Sequence, residues 1–536
     1  MISSGSQSAK IWLVGEALGP DEKTQQKPFV GYTGMELRKM LGEVGILPHE
    51  TFMCNVLDAV PPHGKIENCF YTAKDAKSFG VERINGKYPN TAVSVGRETL
   101  RREIGLHRPN LVVALGATPL WALCGEIGIT KWRGSILNGV HDVKVVPTFN
   151  PAAITRQWSW RWLAVQDLRR CLMQSAFPEI RYPNREYVIA PSLDVVMDFL
   201  GDIKDQTIVA DTETWGGQID CIGIGTSKDK VICIPFNSFV KDNPNYWSLE
   251  DEVTIVLKIK EVMKTNGVVW QNCLYDMQYL AHDWGYLPNT TDDIMIMHHT
   301  CFSELRKALE VITSLHCVYY RFWKEEGKKW NPVTDDVNTH WTYNCDDCAY
   351  TFEDFTSLNK AVDDLDQREQ YNFLMKLVPP VLRMMLRGCR VNKKYKDGLS
   401  TSLQEAKDSR RLWFNEVLGH DLNPDSNPQM TTLIYDDFGV KEIRDRKTKG
   451  RTMNDAAITK IKRENGLLRP LLEKVEEYRS IRVFKSNFAD ALLRDDERIG
   501  SSVNICGTNT YRFSYSKDAF GSGGNLQTIP RGTEKE

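Results

Sequence analysis

No stretch of this chain strings together the roughly 18 apolar residues that a membrane-spanning helix needs. Its first residues also lack the basic start and apolar core of a secretory signal. These absences predict a cytoplasmic protein with no membrane partner. Cysteine is present without a framework: the 13 residues are an odd number scattered through apolar runs, which fits reduced buried thiols better than disulfides. The one close pair, Cys345 and Cys348, has no second pair at zinc spacing and reads as coincidence. A large excess of one charge is missing too, the formal net charge being -2.

At 536 residues the chain exceeds what one core supports and suggests about three domains. A hydrophobic content of 41% with 10% aromatics fits an ordered globular protein. The near-neutral total conceals segregation. Residues 1–180 carry 21 Lys+Arg against 16 Asp+Glu, residues 181–370 carry 17 against 32, and residues 371–536 carry 30 against 22. A basic module suits a polyanion and an acidic one suits divalent cations. The expected class is α/β multidomain, with boundaries near 180 and 370.

In residues 1–180 a short strand from Lys10 to Val14 leads into Gly15-Glu16-Ala17-Leu18-Gly19. Glycine at a strand end lets backbone approach a ligand closely. Farther on come Pro28-Phe29-Val30-Gly31, Cys54-Asn55-Val56, a buried strand Leu111 to Leu115, Trp132-Arg133-Gly134, a strand Val143 to Val146, and Phe149-Asn150-Pro151-Ala152. Strands alternating with helical stretches predict an α/β sheet with loops gathered at strand ends. Over roughly residues 9–172 this set resembles the uracil-DNA glycosylase superfamily, especially family 4. The resemblance implies a pocket for a flipped base, with Glu16 near the attacking water, Phe29 stacking on the base, Asn55 reading its edge, and the Asn150 loop entering the minor groove. Two departures stand out. Asn150 occupies the place of the family's His and cannot donate a cationic hydrogen bond, and the family's iron-sulfur cysteines are missing, so no iron-sulfur cluster is expected.

In residues 181–370 Asp211-Thr212-Glu213-Thr214 sits directly behind the apolar run Ile208-Val209-Ala210, which places two carboxylates on one face at the end of a strand. Asp-x-Glu alone is a weak signal. It gains weight from Asn272-Cys-Leu-Tyr-Asp276 in a helical stretch and Tyr343-Asn-Cys-Asp-Asp347 opening another helix. Together the three segments resemble the motifs of DEDDy 3′-5′ exonucleases, as in family A DNA polymerases. That resemblance implies an RNase H-like exonuclease domain. It also implies two divalent cations, Mg²⁺ or Mn²⁺, held by Asp211, Glu213, Asp276 and Asp347, with Tyr343 orienting or activating the water. Thr212 and Asn272 are assigned to the substrate strand. Asp292 and Asp293 read as supporting or solvated residues, and His298 and His299 as structural.

In residues 371–536 an apolar helix precedes Arg387-Gly388-Cys389-Arg390-Val391. Next come the turn Leu422 to Gln429, a Lys/Arg-rich linker from Lys441 to Arg451, and a strongly helical stretch from Leu467 to Leu493. The Asn423-x-x-Ser426-x-x-Gln429 turn, Tyr478-Arg479, Lys485-Ser486, Thr510-Tyr511-Arg512-Phe513-Ser514 and Asn525-Leu526-Gln527-Thr528-Ile529-Pro530 resemble the start of a family A polymerase domain. The resemblance implies a mainly α thumb with a partial palm, and DNA contacts from Arg479, Lys485, Arg512, Asn525 and Gln527. Tyr511 stands where Gly is usual, and Asp518 to Gly524 lengthens the next loop. The palm carboxylates and fingers helix should follow Arg531. This chain by itself is therefore expected not to polymerise DNA; the domain order resembles certain bacteriophage replicative polymerases, and the stop ahead of the palm suggests a polymerase encoded in two pieces, or a truncation or interrupted gene. Expected partners are DNA, a second polypeptide carrying palm and fingers, and a processivity factor. The competing expectations are a lone DNA exonuclease or repair protein, an active uracil-DNA glycosylase, and a non-catalytic DNA-binding tether.

Overall fold

Leu13, Val113 and Val146 pack into one core cluster while Trp12, Val14, Val112 and Val145 pack into another. This is the period-two alternation of strands covered on both faces. The computed structural model describes residues 1–288, 290–445, 448 and 450–529. It divides into two compact units, Met1–Cys273 with Tyr286–Tyr371, and Leu274–Gly285 with Asn372–Glu536. No helix among the described residues is long and apolar enough to cross a membrane.

The first unit holds two six-stranded sheets. One contains β1 (Ser3–Ser4), β2 (Ile11–Ala17), β3 (Thr51–Leu57), β4 (Leu111–Leu115), β5 (Leu137–Asn138) and β6 (Lys144–Thr148), in the order β1-β3-β2-β4-β6-β5. The inner four strands are parallel and the two edges antiparallel. β2 has β3 on one side and β4 on the other, so the strand order reverses there. In open α/β sheets the crevice at such a reversal, outside the carboxyl ends of the strands, is where ligands bind. β2 runs three residues past the expected Val14, which puts Glu16 inside the strand instead of in the loop after it.

The second sheet contains β7 (Glu186–Val188), β8 (Thr207–Trp215), β9 (Gln218–Gly225), β10 (Lys230–Pro235), β13 (Gly267–Trp270) and β14 (Thr290–Asp293), ordered β14-β13-β8-β9-β10-β7. A small hairpin of β11 (Asn237–Val240) and β12 (Asn243–Asn245) stands apart from it. The helix Val337–Asp364 packs across β8, β9 and β10. The acidic pair was expected at a strand end, but β8 continues to Trp215 and Asp211 and Glu213 lie within it. The apolar run stops at Ala210 because the polar residues beyond still pair, Asp211 with Gly223 and Glu213 with Cys221. A register shift follows at once: Thr214 pairs with Ile219, so Asp220 is the extra residue of a β-bulge.

The two sheets' segments are tied by buried guanidinium groups. Arg133 pairs with Asp167 and donates from Nη1 to Ser314 Oγ at 2.8 Å. Arg170 donates to the carbonyls of Ser314 at 2.8 Å and Cys317 at 2.6 Å.

The second unit is mainly helical. The helices Lys393–Leu418 and Arg469–Phe484 enclose a core that includes Phe414, Met430, Ile434, Leu472 and Val475. The helix expected from Leu467 to Leu493 is shorter: it ends at Phe484 and continues as a π-helical turn, Lys485–Ala489. Two short antiparallel pairs, β15 (Cys389–Arg390) with β16 (Arg498–Ile499) and β17 (Ser502–Asn504) with β18 (Ser514–Ser516), complete it. Arg446, Lys447 and Lys449 of the basic linker, and Pro530 to Glu536, lie outside the described residues.

Candidate functional site

Two sites stand out in the first unit. At the carboxyl ends of β2, β4 and β6 a cavity of about 660 Å³ is lined by Glu16, Phe29, Asn55 and Asn150 among others. All four residues named from sequence for a base pocket meet here. Two glycines make room for them. A Cβ on Gly15 would stand 2.2 Å from Asn55 Oδ1 and 2.7 Å from Phe29 Cζ, and one on Gly116 would stand 2.8 Å from Glu16 Oε1. Phe29 itself has φ 58, a conformation costly for a bulky residue. It is held there by Arg38, which donates to its carbonyl at 2.7 Å.

Within the pocket Asn150 Nδ2 donates to Glu16 Oε2 at 3.0 Å, and Asn150 Oδ1 accepts from Ala152 N at 2.8 Å. Thr118 N donates to Glu16 Oε1 at 3.2 Å. Burial raises the Glu16 carboxyl above its ordinary range, against the Thr118 and Asn150 bonds that lower it. Asn55 is 3% exposed, and its Nδ2 has no hydrogen-bond partner. A buried unsatisfied donor costs about 1–3 kcal/mol.

The other site lies between β8 and the helix Val337–Asp364. Asp211, Glu213 and Asp347 bring one carboxylate oxygen each within 4.8 Å of one another. Neighbouring donors fix two of them. Asn344 Nδ2 donates to Asp211 Oδ2 at 2.9 Å, Trp323 Nε1 donates to Asp347 Oδ1 at 2.6 Å, and Lys324 Nζ pairs with Asp347 Oδ2 and donates to Tyr343 Oη at 2.8 Å. Burial alone would lower the Lys324 ammonium, but Asp347, Asp211 and Glu213 outweigh it and its pKa stands above the ordinary value. Burial and the same carboxylates raise the Tyr343 phenol, which therefore stays protonated. Close approach again depends on glycine: a Cβ on Gly223 would meet Asn344 Oδ1 and Cys348 Sγ, both at 2.6 Å, and one on Gly327 would meet the Tyr343 ring at 2.7 Å.

Three convergent hard oxygen donors suit divalent cations such as Mg²⁺ or Mn²⁺. The donor set fits, although Lys324 already supplies one positive charge to it. The fourth motif carboxylate, Asp276, is buried in the first turn of the helix Cys273–Trp284, most of which belongs to the second unit.

Other expected residues fall elsewhere. Thr212 is buried, and the pleat turns its side chain to the face opposite Asp211 and Glu213. Asn272 does not sit on a helical turn. It has φ 69 and precedes the helix beginning at Cys273. Asp293 is buried, not solvated: it accepts from Cys273 N at 2.8 Å and Met295 N at 2.8 Å, pinning two helix starts. His298 and His299 are buried, and burial pushes them down to about 3 and about 4, so both are neutral.

In the second unit Arg479 donates to the carbonyls of Pro424 at 3.0 Å and Met453 at 2.6 Å, which binds its helix to the preceding turn. Lys485 pairs with Asp490 at 2.7 Å. Arg512 is exposed, Asn525 Oδ1 accepts from Gln527 N at 3.1 Å, and Gln527 Nε2 donates to the Phe513 carbonyl at 2.9 Å. The added loop is anchored by Asp518, which is buried and paired with Arg494 at 2.9 Å.

Sequence reasoning missed Trp323, Lys324, Asn344, Gly223 and Gly327. Asn344 was visible inside the third motif, one helical turn before Cys348, but Trp323 and Lys324 lie in a segment with no recognisable spacing to the others.

Residues 2–172 match the family model described as Uracil DNA glycosylase superfamily, and residues 392–536 match that of DNA polymerase family A. The type-4 uracil-DNA glycosylase of Thermotoga maritima is 29% identical over 176 residues, 32% of this chain and 78% of that protein. The type-4 enzyme of Archaeoglobus fulgidus is 33% identical over 154 residues, 28% of this chain and 69% of that protein. DNA polymerase I of a Synechocystis strain is 28% identical over 280 residues, 49% of this chain but 27% of that protein. This last match is longer than residues 392–536 can hold, so it begins before them. The chain spans about a quarter of that polymerase's length.

Proposed function

We propose that this chain, which belongs through residues 2–172 to the uracil DNA glycosylase superfamily, acts in DNA replication within a family A DNA polymerase and removes 3′-terminal nucleotides at Asp211, Glu213 and Asp347. The observation that carries the nuclease reading is the convergence of these three carboxylates within 4.8 Å. The mixed sheet crossed by the helix Val337–Asp364 fits the RNase H-like exonuclease architecture expected from sequence. Two divalent cations held there would supply a deprotonated water and stabilise the leaving 3′ oxygen.

The chain's own residues have distinct tasks in this reading. Asp211 and Glu213 present their carboxylates from one face of β8, and Asn344 orients Asp211. Trp323 and Lys324 hold both oxygens of Asp347. Tyr343 orients or activates the attacking water. The test is release of 3′ nucleotides from a 5′-labelled single strand by the purified chain with Mg²⁺ or Mn²⁺. Release that persists in Asp211→Ala with Glu213→Ala would sink the assignment.

A second activity is favoured by the unsatisfied Asn55 amide. The pocket receives a flipped pyrimidine, with Phe29 against its face and Asn55 on its edge. Asn150 gives one amide N–H to Glu16 and accepts from Ala152, and unlike an imidazolium it has no cationic donor for a departing base anion. The pocket accordingly recognises uracil in DNA and excises it poorly. Binding of a uracil-containing single strand, measured beside uracil release, separates recognition from excision. Equal affinity for uracil-containing and uracil-free strands would refute it.

A further inference from the structure

The bulge in β9 builds a second cluster, separate from the acidic one. In an unbroken strand Asp220 and Cys221 would point to opposite faces. The extra residue changes that, and one donor atom each from Asp220, Cys221 and His340 lies within 4.8 Å of the others. All three are buried. His340, from the helix Val337–Asp364, donates from Nε2 to Asp220 Oδ1 at 2.9 Å. Asp220 Oδ2 and His340 Nδ1 are buried without any hydrogen-bond partner. Trp330 stacks on the imidazole at 4.4 Å and 13°, and Phe239 meets it edge-on at 5.8 Å, so the cluster has an aromatic cover.

We propose that Asp220, Cys221 and His340 bind a single zinc-class divalent cation that serves a structural role. The donor set decides the metal class: sulfur, nitrogen and one carboxylate suit Zn²⁺ and exclude a preference for Mg²⁺, whereas the all-oxygen cluster nearby does the reverse. All three donors are buried and Trp330 covers the imidazole, which suits a structural site better than one reached by substrate. Donors around tetrahedral Zn²⁺ lie about 3.3–3.8 Å apart, given bonds of about 2.0–2.3 Å. The donor atoms already lie within 4.8 Å of one another, so side-chain adjustment alone reaches these separations.

The bland alternative is a buried Asp-His hydrogen bond and nothing more. It leaves a carboxylate oxygen and a ring nitrogen dry, at about 1–3 kcal/mol each. A cation gives the Asp220 oxygen a partner and takes up the Cys221 sulfur as thiolate, releasing its proton to solvent. The site pins the register of β9 to the helix that also carries Tyr343 and Asp347, but its existence does not depend on the nuclease reading.

The experiment uses the full-length chain without a histidine tag, stripped with a chelator and reloaded with Zn²⁺ alone or Co²⁺ alone. Elemental analysis should find about one equivalent of zinc retained after gel filtration, and Co²⁺ should give tetrahedral ligand-field bands with a thiolate charge-transfer band. Cys221→Ser should abolish the thiolate band. His340→Gln should weaken binding by tenfold or more, on the order seen when a ligand shell is broken. Asp211→Asn with Glu213→Gln should retain both signals. Circular dichroism reports whether each variant folds, and Asp220→Asn serves if Cys221→Ser does not. Zinc below about a tenth of an equivalent, or zinc lost with the Asp211/Glu213 pair and kept in Cys221→Ser and His340→Gln, would overturn the proposal.

Discussion

The pocket at the end of the first sheet and the cluster inside the second are built by opposite means. In the pocket Glu16 accepts hydrogen bonds from Thr118 and Asn150, and the unsatisfied group is an uncharged amide, Asn55. In the cluster three carboxylates crowd together, and an ammonium, an indole and an amide hold two of them in place. On the proposed reading the first arrangement suits a neutral, edge-bearing base and the second suits cations. The difference is one of shape against charge.

The comparison breaks most sharply if both carboxylates on β8 are removed. Asp211→Ala with Glu213→Ala should bring 3′ nucleotide release to background while uracil-strand binding stays within twofold, about the scatter of such assays. Asn150→His should move the other site alone. A cationic donor beside the leaving base should raise uracil release on the order of 100-fold, measured by alkali cleavage of a uracil-containing strand, with nuclease rates unchanged. Asn55→Ala should weaken uracil-strand binding by about tenfold or more, corresponding to about 1–3 kcal/mol for a lost edge contact. Lys324→Met removes a charge that competes with bound cations, so the metal concentration for half-maximal nuclease activity should fall by about tenfold; a rise would mean that Lys324 organises the cluster and does not compete. The smallest effect is structural: Gly223→Ala should cost about 1–3 kcal/mol by overpacking against Asn344 and Cys348, read as a lower melting temperature.

The order of the motifs, and which residue types they carry, were legible in the sequence through resemblance to known families, and the strands that carry Glu16, Asn55 and Asp211 through their apolar runs. Glu16, Phe29, Asn55 and Asn150 meet in one cavity although 134 residues separate Glu16 from Asn150. What escaped depends on register. The strand bearing Asp211 looks finished at Ala210, since apolar content stops there while pairing does not. Nothing local marks Asp220 as a bulge residue, for its partner strand decides that. Lys324 and Trp323 reach Asp347 through tertiary packing, which no spacing rule encodes. Arg479 reads as a DNA contact from the family resemblance, yet its donors close on the carbonyls of Pro424 and Met453.

The seam through Arg133 and Arg170 bears on how this protein can be taken apart. Arg133 grips Asp167, and Thr148 Oγ1 donates to the same carboxylate at 2.7 Å, two residues before Asn150. A fragment cut near residue 180 would keep both guanidinium groups and discard Ser314 and Cys317, their acceptors across the seam. Its pocket would then rest on a frayed foundation, and low uracil activity in such a fragment would measure the cut and not the chemistry of the intact chain.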